Sequence, residues 1–278
     1  MTDRIPLEKE DYTDPVCPFC TEQYDKTPRA RRIPLSRVLE KLDAYFAKND
    51  YDGACKHLLY WREEARLGGD DGGELALTNE LMGLYRKTGK RDEALQAVRE
   101  AVSLCEKMGV TEESAGGTAY LNAGTVYKAF GLSGEALPYF AHAAKVYEAT
   151  LAPDDPRMGG LYNNMALAYV DEKRFAEAFD CYEKALAVMA HAENGELEQA
   201  ITCLNMANAR EAQYGLESAA DAIEQYLTKA EALLRTPTIP RNGYYAFVAG
   251  KCAPTFSYYG WFAFARELEK TAAELYRR

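Results

Sequence analysis

The sequence lacks the long apolar runs that carry a chain into a membrane. Among its 278 residues there is no stretch of about 18 consecutive apolar residues, so we expect no transmembrane helix. The opening residues, MTDRIPLEKEDYTDP, are charged from the start and contain no apolar core of the kind that signal peptides carry. We therefore expect a cytoplasmic protein that does not act at a membrane.

Motifs for catalysis are also scarce. The sequence contains only three histidines, His57, His142 and His191, and each falls within or at the end of a predicted helix. It contains no nucleophile elbow, phosphate-binding loop, HExxH metal motif or GxGxxG fingerprint. Acidic side chains are abundant, but they follow predicted solvent faces and no two of them form a distinct pair. The sequence predicts a protein that is not an enzyme.

Positive charge is in the minority. The chain carries 33 Lys and Arg against 43 Asp and Glu, a formal net charge of −10, which disfavours binding to nucleic acid and anionic lipid. Its seven cysteines are an odd number, and most lie in helical patterns, so we expect reduced thiols that act as small apolar groups. A composition of 47% apolar and 27% charged residues is ordinary for a folded chain.

What the sequence does contain is an internal repeat. The segments 89–107, 131–149 and 172–190 can be superimposed on an alanine at the start of a predicted helix, and weaker copies occur before and after them. These helix-opening alanines are Ala54, Ala94, Ala136, Ala178, Ala219 and Ala265, with steps of 40, 42, 42, 41 and 46 residues. Twelve residues before three of them stand Gly124, Ala166 and Ala207. Small residues at fixed offsets mark places where two antiparallel helices cross closely.

This pattern resembles the tetratricopeptide repeat (TPR). The 42-residue step and the string YNNMALAYVDEKRFAEAFDCYEKALAV (162–188) are most similar to the long repeats of kinesin light chains and related bacterial TPR proteins, which points to a bacterial source. The resemblance implies an all-α, right-handed superhelical solenoid of about six hairpins, with the first helix of each hairpin lining a concave face. The alternative is an unrelated helical bundle. We expect the hairpins at 34–68, 73–109, 113–151, 156–192, 196–235 and 242–278, with a kink or break at Pro254.

A row of asparagines follows the repeat on the predicted concave face. A residue two places before a crossing residue lies about 200° round the helix from it and so faces the groove. Asn122, Asn164 and Asn205 hold this place, flanked by Asn163 and Asn208. In the kinesin-light-chain-like family, asparagines at this place contact the backbone of a bound peptide, and the resemblance implies the same role here. The alternative is that these amides satisfy neighbouring helices or face water.

Basic residues are expected near the same face, at Arg86, Lys87, Lys128 and Lys251. They could attract a carboxylate or an acidic segment, or simply be solvated. The carboxylate clamp of chaperone-binding TPR proteins is not matched, because Leu121 and Leu204 stand where it needs basic residues. The sequence thus predicts an adaptor that binds a partner peptide in the groove. A peptide-sensing regulatory protein is the alternative, although about 33 residues before the first repeat are too few for a helix-turn-helix domain.

Residues 1–33 are predicted to form an extended arm or cap that contains the string CPFC, from Cys17 to Cys20. Two thiols at this spacing can be half of a zinc site, completed by Cys55 and His57 or by the arm of a second chain. The string is also similar to a glutaredoxin active site, but no strand precedes it, as that chemistry requires. The third alternative is that both thiols pack within the cap. A zinc or redox protein acting through Cys17 and Cys20 is therefore a further candidate function.

The C-terminal segment 243–264 is unusually aromatic, with nine aromatic side chains among its 22 residues. They could seal the open end of the solenoid, or part of them could be exposed and serve a homodimer or partner docking. The residues that we single out for such docking are Tyr258, Tyr259 and Trp261.

Overall fold

The computed structural model describes residues 31–277, and in this range it contains twelve α-helices and no strand. The helices form six consecutive pairs. The pairs are α1 (Leu35–Phe46) with α2 (Tyr51–Leu67), α3 (Asp71–Lys87) with α4 (Arg91–Met108), α5 (Ser114–Ala129) with α6 (Ser133–Thr150), α7 (Pro156–Asp171) with α8 (Phe175–Met189), α9 (Glu196–Tyr214) with α10 (Ala220–Leu234), and α11 (Gly243–Tyr258) with α12 (Phe262–Tyr276). The expected all-α solenoid of about six hairpins is confirmed. None of these twelve helices is long and apolar enough to cross a bilayer.

The turn between the two helices of a pair needs a residue with positive φ. Gly89 and Gly131 take this place in the second and third pairs, with φ of 71° and 76°, which glycine adopts without a steric cost. In the fourth pair the turn from Asp171 to Arg174 contains no glycine, and Lys173 takes the left-handed conformation with φ of 58°. The turn geometry is therefore kept even where the residue type changes.

The small residues identified in the sequence lie where the paired helices cross. We call the residue twelve places before each helix-opening alanine the crossing residue, and all six of these are buried: Leu42, Met82, Gly124, Ala166, Ala207 and Ala253. The closest approach is at Gly124, where a Cβ atom would lie 2.6 Å from the ring of Phe140 on α6. The helix-opening alanines are buried as well. The crossing residue is small in the last four pairs, which allows close helix contact there, whereas the first two pairs bury the larger Leu42 and Met82 at this place.

The first helices of successive pairs form a continuous layer. From α3 onward each first helix contacts its own second helix and also the first helix of the next pair, as in α3 with α5 and α7 with α9. Residues two places before the crossing residue point away from the second helix, and the side of the first helices that bears them is called the groove face below. This layer places the predicted asparagine row on one surface of the solenoid.

Both ends of the solenoid carry charge where the internal repeats carry buried apolar side chains. Four residues after the helix-opening alanine, five second helices contribute a core side chain: Leu58, Val98, Phe140, Tyr182 and Ile223. In α12 this place is taken by Glu269, which is exposed. On α1, Lys41 is exposed at the place before the crossing residue, where α3 buries Leu81 and α7 buries Met165. These two faces therefore carry charged side chains at places where the internal repeats bury apolar ones.

The predicted break at Pro254 is wrong, because α11 continues through it to Tyr258, and a kink at Pro254 stays a prediction. Pro254 is exposed, and the residue whose carbonyl loses its hydrogen bond is Gly250, which is exposed too. Pro138 repeats this arrangement inside α6, four residues after the exposed Gly134. On a solvent-facing side, water can satisfy the freed carbonyl and the glycine gives it room to tilt.

Candidate peptide-binding groove

The three predicted asparagines lie at equivalent places on three neighbouring first helices. Asn122 on α5, Asn164 on α7 and Asn205 on α9 are each half-buried, and each stands two residues before a buried crossing residue. Half-burial fixes a side chain against its neighbours while leaving part of its amide accessible. The geometry is that of a row of amides along the groove face.

Two of these amides bond to an asparagine on the preceding first helix. Asn122 Nδ2 donates to Asn79 Oδ1 at 3.1 Å, and Asn205 Nδ2 donates to Asn163 Oδ1 at 3.1 Å. The alternative noted for the sequence, that the asparagines satisfy neighbouring helices, therefore holds for one donor of each side chain. The remaining acceptor of each amide has no hydrogen-bond partner within residues 31–277.

Asn164 differs from the other two because its neighbour is apolar. The place that Asn79 and Asn163 occupy, three residues before the crossing residue, is taken by Leu121 on α5. Asn164 Nδ2 accordingly donates to the Gly160 carbonyl of its own helix, at 2.9 Å. Asn79 was not predicted from the sequence, although its register, equal to that of Asn163, was the signal that could have identified it.

The groove face is open between these amides. Gly83 on α3 and Gly160 on α7 both belong to it, and a Cβ atom at either place would meet no atom within 4 Å. Thr118, by contrast, is not free for a ligand, since its hydroxyl lies 2.8 Å from that of Tyr147. A backbone could therefore approach the floor of the groove most closely at the glycines.

The four basic residues predicted near the groove face differ in their surroundings and in their exposure. Lys87 lies over the rings of Phe46 and Tyr51, at 5.7 and 4.8 Å from their centroids, and so covers the corner of the first pair. Arg86 and Lys251 are exposed, and Lys128 is half-buried. None of the four makes an ion pair within residues 31–277. They are spread over α3, α5 and α11 and do not form one cationic cluster.

Carboxylates that the sequence analysis passed over lie at the N-terminal end of the groove face. Glu40 on α1 and Glu80 on α3 hold the same register as the asparagines, and Asp43 follows one residue after its crossing residue. Burial raises the pKa of Glu80, and the negative charge of Asp43 raises it further. The register of the asparagine row, extended towards the N-terminus, was the signal that could have found them.

The C-terminal end of the groove face is aromatic. Tyr244, Phe247 and Tyr258 on α11 are exposed, and the first two rings are stacked with centroids 6.4 Å apart. The Tyr244 hydroxyl donates to Glu198 on α9, and the Tyr258 hydroxyl donates to Glu211 at 2.6 Å. Burial raises the pKa of Tyr244, with Glu198 adding to the effect. Both carboxylates therefore already accept a hydrogen bond from a tyrosine hydroxyl.

The three aromatic residues singled out in the sequence have different surroundings. Tyr258 is exposed, but the Tyr259 hydroxyl donates to Glu211 at 2.7 Å and lies 3.0 Å from Asn208 Oδ1. Trp261 is half-buried, packs on Phe256 with ring centroids 5.6 Å apart and donates to Glu224 at 3.3 Å. The tail is thus split between the core and the groove face, and Asn208 is already engaged by Tyr259.

A zinc site completed by Cys55 and His57 gains no support from their surroundings. His57 Nε2 lies 2.9 Å from the carbonyl oxygen of Val38, and no group of three or more potential metal ligands exists within residues 31–277. Cys17 and Cys20 lie outside the described residues, and metal binding by them stays a prediction. Burial raises the pKa of Cys105, Cys181 and Cys203 to about 11, as expected for thiols that pack rather than react.

The comparisons with known proteins agree with the repeat fold. Residues 117–190, which span α5 to α8, match the tetratricopeptide repeat family, and they include the two copies with the clearest repeat. A curated relative, Protein KINESIN LIGHT CHAIN-RELATED 1 of Arabidopsis thaliana, is 28% identical over 158 residues, which are 55% of this chain and 26% of that protein. The chain therefore spans about a quarter of the length of the curated relative it matches.

Solved structures show the same superhelical fold. BtubC (BKLC) from P. vanneervenii has a TM-score of 0.62 at 18% identity, with 75% of this chain and 84% of that chain covered. A set of nearly identical TPR-like repeats from Podosopora anserina has a TM-score of 0.51 at 19% identity, with 73% of this chain and 94% of that chain covered. At this level of identity the likeness establishes the architecture of stacked helical hairpins.

Proposed function

Because the chain is a tetratricopeptide repeat protein whose repeats resemble those of kinesin light chains, we propose that it is a non-enzymatic adaptor that holds an extended segment of a partner protein on its groove face. TPR arrays generally mediate protein–protein interactions, and stacked repeats build a long concave surface suited to an extended ligand. The segment would lie across α5, α7 and α9.

The observation that carries the proposal is the row formed by Asn122, Asn164 and Asn205. An amide offers both a donor and an acceptor, as a peptide unit does, so a row of amides can bind backbone without selecting a particular side chain. The contacts of Asn122 and Asn205 with neighbouring asparagines hold these side chains in position and leave one acceptor on each for a ligand. Such preorganisation lowers the entropic cost of binding.

Displayed peptides provide a direct test. A phage library of random peptides about 12 residues long, which span roughly 40 Å when extended, would be panned against the full chain. Peptides that are enriched would be synthesised with a fluorescent label and titrated with the wild-type protein in an anisotropy assay. We expect the Asn164→Ala/Asn205→Ala double variant to bind them at least about tenfold more weakly, because two backbone contacts are lost.

Gln225→Ala is the matched control, since Gln225 is an exposed amide on the second helix α10 and lies away from the groove face. Circular dichroism melting curves would show that all three proteins keep their fold. Enriched peptides whose affinity is the same for the wild type and the double asparagine variant would refute binding at the groove face, as would a panning experiment that enriches no peptide.

A further inference from the structure

The charged residues on the groove face indicate which class of peptide segment binds there. We propose, on the basis of the groove function above, that the bound segment is basic and that a lysine or arginine of it lies at the α1–α3 end, between Asp43 and Glu80. The inference concerns which class of segment binds and in which position, so it can fail while the groove function holds.

The first support is the set of carboxylates at this end. Glu40, Asp43 and Glu80 are all on the groove face of α1 and α3, and none of them accepts a hydrogen bond or forms an ion pair with any side chain in residues 31–277. Elsewhere on the same face, Glu198 and Glu211 receive tyrosine hydroxyls and Asp171 receives the hydroxyl of Ser133 at 2.6 Å. The carboxylate oxygens at the α1–α3 end of the groove are therefore free to accept hydrogen bonds from a ligand.

The second support is the burial of Glu80. Its carboxylate is half-buried, and burial and the negative charge of Asp43 both raise its pKa. Lys87 shares the groove face of α3 but lies over the rings of Phe46 and Tyr51. A half-buried carboxylate beside a like charge gains most from an incoming cation, because little water has to be displaced from it.

The third support is the polarity of the groove. The centre of the face, from α5 to α9, presents amides, and the far end presents the exposed Lys251 among Tyr244, Phe247 and Tyr258. Lys251 disfavours a basic side chain at the far end, where Glu198 and Glu211 already accept tyrosine hydroxyls, whereas Asp43 and Glu80 have no such partner in residues 31–277, so a basic side chain of the segment is favoured at the α1–α3 end. An overall net charge of −10 also favours encounter with a basic partner.

The test compares the composition of peptides that are enriched on the wild-type chain with that on Asp43→Asn/Glu80→Gln. Both substitutions keep the shape of the side chain and remove mutual repulsion, so the variant should fold. We expect Lys or Arg to recur at one position of the peptides selected by the wild type and not by the variant. A selected peptide should bind the variant about tenfold more weakly, and its affinity for the wild type should fall when NaCl is raised from roughly 50 to 500 mM.

The control is Glu106→Gln/Glu183→Gln, which removes two exposed carboxylates from the second helices α4 and α8 and changes the net charge equally. If this control weakens binding as much as the groove variant does, the attraction is a general charge effect and the inference is overturned. Enriched peptides that are acidic or uncharged, and that still depend on Asn164 and Asn205, would overturn the basic partner while leaving the groove function intact. Peptides that ignore both sets of groove residues would overturn both proposals.

Discussion

The Asn122 side chain donates a hydrogen bond to Asn79 on the preceding first helix, at 3.1 Å, and Asn205 makes the same contact with Asn163. In each case the donor stands two residues before its crossing residue and the acceptor stands three before. The groove face therefore has its own link between repeats, in addition to the apolar core on the other side of the first helices. This link joins the second repeat to the third and the fourth to the fifth, but not the third to the fourth.

A double-mutant cycle should detect the Asn79–Asn122 contact. We expect Asn79→Ala and Asn122→Ala to be coupled by about 0.5–1 kcal/mol in the free energy of unfolding, because either change alone already removes the hydrogen bond. Urea unfolding followed by circular dichroism would measure the four proteins. The pair Asn122 and Asn164, which has no mutual contact, should show coupling near zero, and equal coupling in both cycles would contradict a specific bond.

Gly124 and Gly83 should respond in opposite ways to the same substitution. Gly124→Ala places a Cβ atom 2.6 Å from the buried Phe140 ring, so we expect a loss of about 1–3 kcal/mol in the free energy of unfolding. Gly83→Ala meets no atom within 4 Å and lies inside α3, so we expect a gain of about 0.5–1 kcal/mol from reduced backbone entropy of the unfolded chain. Urea titrations of both variants check this, and a gain in each would mean that the helices part at the crossing without cost.

Most of the fold could be predicted from the sequence, because the packing of a repeat protein depends on the size of a few residues at fixed spacings. Gly124 lies too close to the Phe140 ring for a larger side chain, and its spacing with Ala166, Ala207 and the helix-opening alanines predicted the hairpins. The break predicted within α11 is wrong, because the cost of Pro254 depends on whether the freed carbonyl of Gly250 faces water, which the sequence pattern does not show. The contacts of the groove could not be predicted from the sequence, because the hydrogen bond from Asn205 to Asn163 and the contact of Tyr259 with Asn208 depend on how successive repeats are aligned.

The hydroxyl groups of two buried tyrosines should contribute differently to the free energy of unfolding. The Tyr182 hydroxyl is buried and has no hydrogen-bond partner within residues 31–277, whereas the Tyr147 hydroxyl lies 2.8 Å from that of Thr118. We expect Tyr182→Phe to leave the free energy of unfolding unchanged or to raise it by up to about 1 kcal/mol. Tyr147→Phe should lower it by about 0.5–1.5 kcal/mol. Thermal and urea unfolding of the two variants give the comparison, and a clear loss for Tyr182→Phe would contradict an unsatisfied hydroxyl.

Glu269 should keep the C-terminal end of the solenoid from associating. Its place is that of Val98, Phe140, Tyr182 and Ile223 in the internal repeats, so Glu269→Leu would put a large apolar side chain on an exposed face of α12. We expect this variant to self-associate, with a mass by light scattering that rises with protein concentration. Glu274→Leu is the control, because Glu274 lies on another side of α12 and is exposed. The prediction fails if the two leucine variants have the same mass as the wild type.

The pH dependence of stability should report on Glu80. Burial and the charge of Asp43 raise the pKa of Glu80 above its unfolded value, so its ionised form opposes folding and its neutral form does not. The stability that Glu80 contributes is thus present at pH below its unfolded pKa and is lost as the pH rises through its folded pKa. We expect Glu80→Gln to be more stable than the wild type at pH 7, and the difference to shrink as the pH falls towards about 4. Urea unfolding of both proteins across this range tests it. In a protein that carries Asp43→Asn, Glu80→Gln should stabilise less, because the negative charge that raises the pKa of Glu80 has been removed. A stability difference between wild type and Glu80→Gln that does not change with pH would show that the effect comes from packing rather than from the charge of the carboxylate.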